Sequence, residues 1–142
     1  MIENISKYLA AIYRQSRGQI EKTSPEREVK MQHSDLLLYV YNNPGSMQKQ
    51  IAHSMAMDPS LLSKDMKKLV AKNLVHRRRG ADRRGYQVYL TEHGQEVAEA
   101  LTADLIAWWE KFFAKHPNID AENFVQGLDD VYHVFQEEFP LQ

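Results

Sequence analysis

Five arginines surround one glycine in LVHRRRGADRRG, the stretch from Leu74 to Gly85. The five are Arg77, Arg78, Arg79, Arg83 and Arg84. A guanidinium group is always charged and matches the oxygens of a phosphate with several N–H donors. Crowded like charges repel one another, so this density indicates a polyanionic partner that supplies the opposite charge. The chemistry that these residues offer is therefore the binding of phosphate.

The basic residues are concentrated in one region of an otherwise balanced chain. The 142 residues include 18 Lys and Arg against 19 Asp and Glu. Between Lys64 and Arg84 the only acidic residues are Asp65 and Asp82, whereas acidic residues predominate from Glu92 onward. One region would therefore attract a polyanion while the rest would repel it.

A helix-turn-helix is predicted immediately before the arginines. Ser46 suits the N-cap of a first helix, MQKQIAHSMA. Asp58 and Pro59 begin a second, because Asp accepts bonds from the first N–H groups and Pro favours the first helical position. The apolar residues expected to face inward on the second helix are Leu62, Met66, Leu69 and Val70. Its basic and hydroxyl side chains then lie on other faces, as in a helix that enters the major groove of DNA.

A β-hairpin is predicted after the second helix. Leu74-Val75 and Gln87 to Leu90 resemble short strands, with glycines at both ends of the turn between them. Asp82, Arg83 and Arg84 then lie at the tip. Such a hairpin reaches the minor groove beside the recognition helix, where arginine binds phosphate or the acceptors at the groove floor.

Helices are predicted on both sides of this unit. Their expected positions are from Ile2 to about Gly18, from a cap at Ser34 to a stop at Pro44-Gly45, from a cap at Thr91 to about Lys115, and from Asp120 onward. The element order is that of a winged helix-turn-helix. We therefore predict one mainly α-helical domain over residues 1–142 with a small β-hairpin wing. Within it, residues of about 32–91 form the DNA-binding part, and about 1–20 and 92–142 form helical dimerisation segments.

Aromatic residues of the last two helices favour a homodimer. They are Trp108, Trp109, Phe112, Phe113, Phe124, Phe135 and Phe139. Two terminal helices would hide this apolar surface poorly by themselves, and a two-fold dimer is the commonest way to cover it. The alternative is that these side chains pack on their own domain.

The stretch from about Leu36 to Gly94 resembles the MarR-type family of winged-helix transcription regulators. NNPGSMQKQIAHSMAMDPSLLSKDMKKLVAKNLVHR is similar to the Pro-Gly turn, helix-turn-helix and following LV-x-R of that family. ADRRGYQVYLTEHG is similar to its wing, D-x-R followed by V-x-L-T-x-x-G. Where the family often has glycine before LV, this chain has Asn73, which tolerates the left-handed conformation of a helix end.

The resemblance implies a sequence-specific, most simply repressive regulator whose terminal helices interlock in a homodimer on pseudo-palindromic double-stranded DNA. Arg84 is similar in position to the minor-groove arginine of the family, and Asp82 to its supporting acid. Pattern and resemblance together assign DNA binding to Pro59, Ser60, Leu61, Ser63, Lys64, Lys67, Lys68, Arg77, Arg79, Asp82, Arg83 and Arg84. The lysines are expected to bind phosphate, and the first turn of the helix to approach the bases. For the lysines alone, a merely solvated face is the competing interpretation.

Many members of that family release DNA when a small aromatic anion binds between the dimerisation helices and the winged domain. Tyr8, Tyr13, Tyr39 and Trp108 are the residues predicted to line such a pocket here. The alternative is that these aromatics belong to the core. No metal site is predicted, since the six histidines lack zinc-ligand spacing, and only His33 with Asp35 merits inspection.

Other classes of function lack support in the sequence. There is no phosphate-binding glycine-rich loop and no nucleophile-elbow motif, so no enzyme and no cofactor are predicted. Without a long apolar run or a signal-peptide pattern, and without cysteine, a cytoplasmic protein away from membranes is expected. The competing function is a winged helix that shapes DNA or binds proteins without receiving a signal.

Overall fold

A computed structural model of the chain describes residues 1–24, 29–80 and 84–139, except for the side chain of Gln32. After a 3-10 turn at Ile2–Asn4, its elements are α1 (Ile5–Glu21), α2 (Met31–Asn42), β1 (Ser46–Met47), α3 (Gln48–Ser54), α4 (Pro59–Ala71), β2 (Val75–Arg79), β3 (Tyr86–Leu90), α5 (Glu92–Lys115) and α6 (Ala121–Glu138). The predicted fold class, mainly α-helical with a small β wing, is confirmed.

The wing is part of a three-stranded antiparallel sheet in the order β1-β3-β2. In the hairpin of β2 and β3, Val75 pairs with Leu90 and Arg79 pairs with Tyr86. The backbone N–H of Gly80 donates to the carbonyl of Gly85 at 2.9 Å, just outside the last pair. The predicted hairpin is therefore present, with different strand ends. β3 begins one residue earlier than predicted, at Tyr86. β2 begins one residue later, at Val75, and extends to Arg79, so Leu74 lies before the strand.

The prediction that Ser46 caps α3 was wrong, because Ser46 belongs to the short strand β1. Its backbone pairs with Val88, and its hydroxyl donates to the carbonyl of Asn43 at 2.8 Å. Helix α3 begins two residues later, and Gln50 accepts from the backbone N–H of Met47 at 3.1 Å. A two-residue strand is too short to show periodicity, which is why the sequence pattern missed it.

The prediction that Ser34 caps α2 was also wrong, because the helix begins three residues earlier. The backbone N–H of Ser34 donates to the carbonyl of Lys30 at 2.8 Å, as in a helix interior. Its buried hydroxyl accepts from Arg17 at 2.6 Å and donates to the carbonyl of Met31 at 2.6 Å. Ser34 thus serves a buried arginine rather than a helix end.

Helix α1 continues to Glu21 and does not end near Gly18 as predicted. Ile20, which is 1% exposed, anchors the last turn in the interior. Packing of this residue outweighs the unfavourable helix propensity of one glycine, which is about 1 kcal/mol. Between α4 and β2, Asn73 has φ +58°, the left-handed conformation expected for it.

The core lies between α2, α3, α4, α5 and the sheet. Its largest buried members are Val29, Leu36, Leu37, Val40, Ile51, Leu62, Met66, Leu69, Leu74, Val88 and Leu101. Three of the four inward positions predicted for α4 are confirmed, but Val70 is 38% exposed. Asp65 occupies the fourth buried position of this helix.

Helix α6 stands apart from this core. All of its residues are described, and none of them is buried. Its contacts with the remainder of the chain include Phe124 against Phe113, with ring centroids 6.1 Å apart, and a hydrogen bond of 3.1 Å from the Tyr132 hydroxyl to the carbonyl of Ser54. Within the described ranges, no helix combines the length and apolar character needed to cross a bilayer.

Candidate nucleic-acid interface

The predicted start of the recognition helix α4 is confirmed. Asp58 Oδ1 accepts from the backbone N–H groups of Ser60 at 2.8 Å and Leu61 at 3.3 Å, and Pro59 takes the first helical position. Of the residues assigned to DNA on this helix, Ser63 is half-buried and the others are exposed, namely Pro59, Ser60, Leu61, Lys64, Lys67 and Lys68. The helix therefore presents a face of hydroxyl and ammonium groups around one exposed leucine.

Loss of the Asp58 cap should destabilise the protein measurably. Asp58→Ala leaves two N–H groups of the first turn without their acceptor, which costs about 1 kcal/mol of unfolding free energy. Urea denaturation at one fixed protein concentration measures the change. The matched control is Asp58→Asn, which removes the same charge but keeps the cap and should stay within a few tenths of a kcal/mol of the wild type. Equal stability of the alanine variant would contradict the capping role.

The wing follows α4 directly. The backbone N–H of Leu74 donates to the carbonyl of Leu69 at 3.0 Å, which ties the start of the hairpin to the end of the helix. Arg77 is half-buried, whereas Arg79 and Arg84 are exposed. The two remaining residues assigned to the tip, Asp82 and Arg83, lie outside the described residues, so their roles stay predictions.

Tyrosine rings of β3 lie beneath the arginines of β2, an arrangement that the sequence reasoning missed. The guanidinium carbons of Arg77 and Arg79 are 4.6 and 4.7 Å from the ring centroid of Tyr86. Arg78 lies 4.8 Å from the ring centroid of Tyr89. Two tyrosines three residues apart, following a run of arginines, were visible in the sequence. Without the strand register it did not reveal which ring each arginine meets.

A comparison with protein families agrees with this geometry. A model described as "MarR family" matches residues 28–85, a range that reaches from the residues before α2 to the wing. The chain contains a MarR-type winged helix. The resemblance noted in the sequence is thereby confirmed, and with it a winged helix of the type found in DNA-binding transcription regulators.

Solved structures share the fold of almost the whole chain. A MarR transcriptional regulator from Methanosarcina mazei Go1 is 23% identical with a TM-score of 0.77, and the alignment covers 96% of this chain and 97% of that one. MepR of Staphylococcus aureus, in a complex with DNA, is 18% identical with a TM-score of 0.73, covering 93% and 96%. CouR from Rhodococcus jostii RHA1, bound to p-coumaroyl-CoA, is 19% identical with a TM-score of 0.74, covering 97% and 94%. No curated protein matches the chain by sequence.

A buried polar pair connects the recognition helix of this MarR-type unit to α2. His33 Nε2 lies 3.2 Å from Asp65 Oδ1, and both residues are almost fully buried. Because a carboxylate only accepts, Nε2 is the nitrogen that donates. Asp35, the residue singled out for inspection together with His33, forms an ion pair with Arg17 instead. Among the described residues there is no group of three or more His, Cys, Asp or Glu that could hold a metal.

Asp35 belongs to a second polar cluster, between α1 and α2. Arg17 donates to Asp35 Oδ1 at 2.7 Å, and the Tyr13 hydroxyl donates to Asp35 Oδ2. Burial first, and then the hydrogen bond and charge of Asp35, raise the pKa of Tyr13 to about 12. Tyr13 therefore stays a neutral hydrogen-bond donor throughout the physiological pH range.

The four residues predicted to line an effector pocket do not form one cluster of contacts. Tyr8 is exposed on α1, Tyr39 donates to the Ser54 hydroxyl at 3.0 Å, and Trp108 stacks on Phe112 with centroids 5.6 Å apart. An open apolar groove of about 690 Å³ lies elsewhere, between α5 and α6. Its lining includes Leu105, Ile106, Trp109, Phe113, Phe124 and Leu128 but none of the four. Their role in binding an effector stays a prediction.

Proposed function

We propose that this protein is a sequence-specific transcriptional regulator that binds a pseudo-palindromic DNA site as a homodimer. The observation that carries the proposal is the junction of two cationic elements. The exposed face of α4, with three lysines, is followed directly by a hairpin whose strand and tip carry arginines. DNA is the polyanion that matches a recognition helix with an adjacent wing.

Each element has a different role in the proposed complex. The first turn of α4, with Pro59, Ser60 and Leu61, approaches base edges in the major groove. The lysines that follow bind phosphates and set the register without reading sequence. Arg84, exposed at the tip of the wing, enters the neighbouring minor groove. Repression then follows from occupation of the site.

The exposed apolar face of α6 supports the homodimeric assembly. Phe124, Leu128, Phe135 and Phe139 are 37–60% exposed, which leaves a large apolar surface in contact with water. The basic surface of α4 and the wing is not complementary to this apolar surface. We therefore propose that the same apolar face of a second copy of the chain covers it. In the proposed dimer, residues of about 1–20 and 92–142 form the dimerisation segments, while residues of about 32–91 form the DNA-binding part.

The dimer should be detectable without DNA. Sedimentation equilibrium at micromolar concentration should give twice the mass of one chain, because burying this apolar face is favourable by tens of cal/mol per Å². A monomeric mass across the accessible concentration range would contradict the assembly and remove the reason for a palindromic site.

We propose that the protein also responds to a small aromatic effector. The relative crystallised with p-coumaroyl-CoA supports it by analogy of fold. We propose that Tyr8, Tyr13, Tyr39 and Trp108 face the effector in the assembled dimer. Release of DNA by salicylate-like anions in a binding assay would support this step, and insensitivity to a panel of them would remove it.

Selection of bound duplexes from a random DNA pool, followed by a salt series, tests the proposed function. A two-fold symmetric motif with half-sites about one helical turn apart is the expected result. The selected site should bind at least about 10³-fold more tightly than random DNA, with each neutralised phosphate adding about 0.9 to the salt slope. Weak, unselective binding that disappears at physiological salt would favour the architectural alternative. Absence of any salt-dependent binding would favour a protein-interaction module.

A further inference from the structure

All three consecutive arginines of β2 lie over tyrosine rings of β3. Side chains alternate between the two faces of a strand, so Arg77 and Arg79 share one face and Arg78 occupies the other. Tyr86 meets the first two, at 4.6 and 4.7 Å from its ring centroid, and Tyr89 meets the third. Two cations on one ring make Tyr86 the centre of the arrangement.

The register of the hairpin explains why one ring reaches two arginines. Tyr86 is directly opposite Arg79, while Arg77 is opposite Val88 and therefore diagonal to Tyr86 on the same face. Diagonal neighbours in an antiparallel pair are within reach of aromatic and long side chains. A shift of the register by one residue would move the ring to the other face of the sheet.

Arg77 has a further partner outside the wing. Its Nη1 lies 3.5 Å from Oε1 of Gln48, the first residue of α3. The guanidinium is thus held between the hairpin and the helix-turn-helix. The cation pair on Tyr86 occupies the junction between the two elements proposed to enter adjacent grooves.

We propose that Tyr86 is a positioning residue for DNA binding, which holds Arg77 and Arg79 as a pair of phosphate-binding cations at this junction. The inference rests on the proposed DNA-binding function. An aromatic ring attracts a guanidinium without neutralising its charge, so the guanidinium can still donate N–H groups to a phosphate. Arginines that are already ordered lose less side-chain entropy when they bind phosphate, so the ring increases affinity without touching DNA.

Three substitutions at position 86 distinguish the contribution of the aromatic ring to DNA affinity from its contribution to strand formation. Tyr86→Leu and Tyr86→Thr remove the aromatic face, and both should weaken binding to the selected duplex about 5- to 30-fold, the equivalent of two exposed cation–π contacts. Thr is a strong strand former, so it keeps the hairpin even where Leu does not. Tyr86→Phe, the matched control, keeps the ring and should bind within about twofold of the wild type. Thermal midpoints of all variants report whether the fold is intact.

A double-mutant cycle distinguishes positioning from general support of the wing. In an Arg77→Ala/Arg79→Ala background, the further change Tyr86→Thr should have almost no effect on affinity, because nothing remains for the ring to hold. If Tyr86→Thr lost as much affinity in that background as in the wild type, the proposal would be overturned, because Tyr86 would act independently of the two arginines. Weak binding by Tyr86→Phe would also overturn it, because the aromatic ring would then not be sufficient.

The outcomes for Tyr86 and for the proposed function can be told apart. Wild-type protein that binds the duplex in a salt-dependent manner, with Thr and Leu variants of equal affinity, would overturn only the role of Tyr86. Wild-type protein with no salt-dependent DNA binding would overturn the proposed function, and the role of Tyr86 with it.

Discussion

A Gly94→Ala variant should lose about 3 kcal/mol or more of unfolding free energy, the largest stability effect that we expect from one methyl group in this protein. The Cβ of an alanine at this position would lie 1.9 Å from the carbonyl oxygen of Leu74 and 2.9 Å from its carbonyl carbon. Overpacking in a core typically costs 1–3 kcal/mol when flexible side chains move aside. Here the obstacle is backbone, so the cost reaches or exceeds the upper end.

The backbone of Leu74 has little freedom to move away. Its N–H donates to the carbonyl of Leu69 at 3.0 Å, and its carbonyl accepts from the N–H of Thr91 at 3.1 Å. Thr91 in turn caps α5 by accepting from the N–H of Gly94 at 2.9 Å. An added methyl group would therefore push α5 away from the wing and disrupt its cap at the same time.

Urea denaturation of Gly94→Ala beside Gly18→Ala provides the measurement and its control. Gly18 is also helical, but apart from its chain neighbours and the backbone of its own helix, no described atom lies within 4 Å of the Cβ that alanine would add there. Gly18→Ala should raise stability by about 0.5–1 kcal/mol through helix propensity. Both must be compared at one protein concentration, because the proposed dimerisation would contribute to apparent stability. A Gly94→Ala variant within about 1 kcal/mol of the wild type would mean that α5 can move off the strand freely.

An Arg84→Ala variant should bind its selected duplex about 1–3 kcal/mol more weakly while remaining a dimer. Arg84 is exposed at the tip of the wing, where the proposed complex places it in a minor groove. A guanidinium there gains both from the concentrated negative potential and from hydrogen bonds to the groove floor. The loss should therefore be larger on the selected site than on random DNA, and the salt slope should fall by about 1.

Arg14→Ala is the matched control for this prediction. It removes the same side chain and charge from an exposed position on α1, which is outside the winged unit. Its affinity for the duplex should remain close to that of the wild type, because screening at physiological salt weakens charges beyond about 8 Å. Titrations of both variants against selected and random duplexes give the comparison. Wild-type affinity in Arg84→Ala would exclude the tip of the wing from the mechanism.

Local patterns in the sequence were sufficient for the order of the helices and of the two hairpin strands, and for the best-defined helix starts. Asp58, Thr91 and Asp120 each cap the helix predicted for them, because a cap involves only residues two or three positions apart. The two strands of the hairpin and the basic character of α4 also follow from short stretches. The sequence determined these features because the interactions that create them lie within one turn of chain.

Partners far apart in the chain were decided only by the tertiary structure. Ser46 belongs to strand β1 because its backbone pairs with Val88. Ser34 accepts a hydrogen bond from Arg17 and does not cap a helix. Asp65 took a buried position because His33 comes from another helix to meet it. In each case a local preference competed with a contact that the fold creates, and the contact prevailed.

The wing shows, within a few residues, the same contrast between what the sequence indicates and what the tertiary structure decides. Arginines at 77, 78 and 79 and tyrosines at 86 and 89 are evident in the sequence, and their abundance alone indicates a cationic element. Which ring lies beneath which guanidinium depends on the register of two strands, and register is fixed by the turn and by the burial of Val88. Likewise, the sequence shows Gly94 only as part of a short motif. The tertiary structure shows why a side chain does not fit there, because α5 packs against the carbonyl of Leu74. The sequence by itself determined which chemical groups are present and approximately where the helices and the two hairpin strands form, because those depend mainly on local bonding. The tertiary structure decided which groups meet, because distances across the fold depend on the packing of the whole chain.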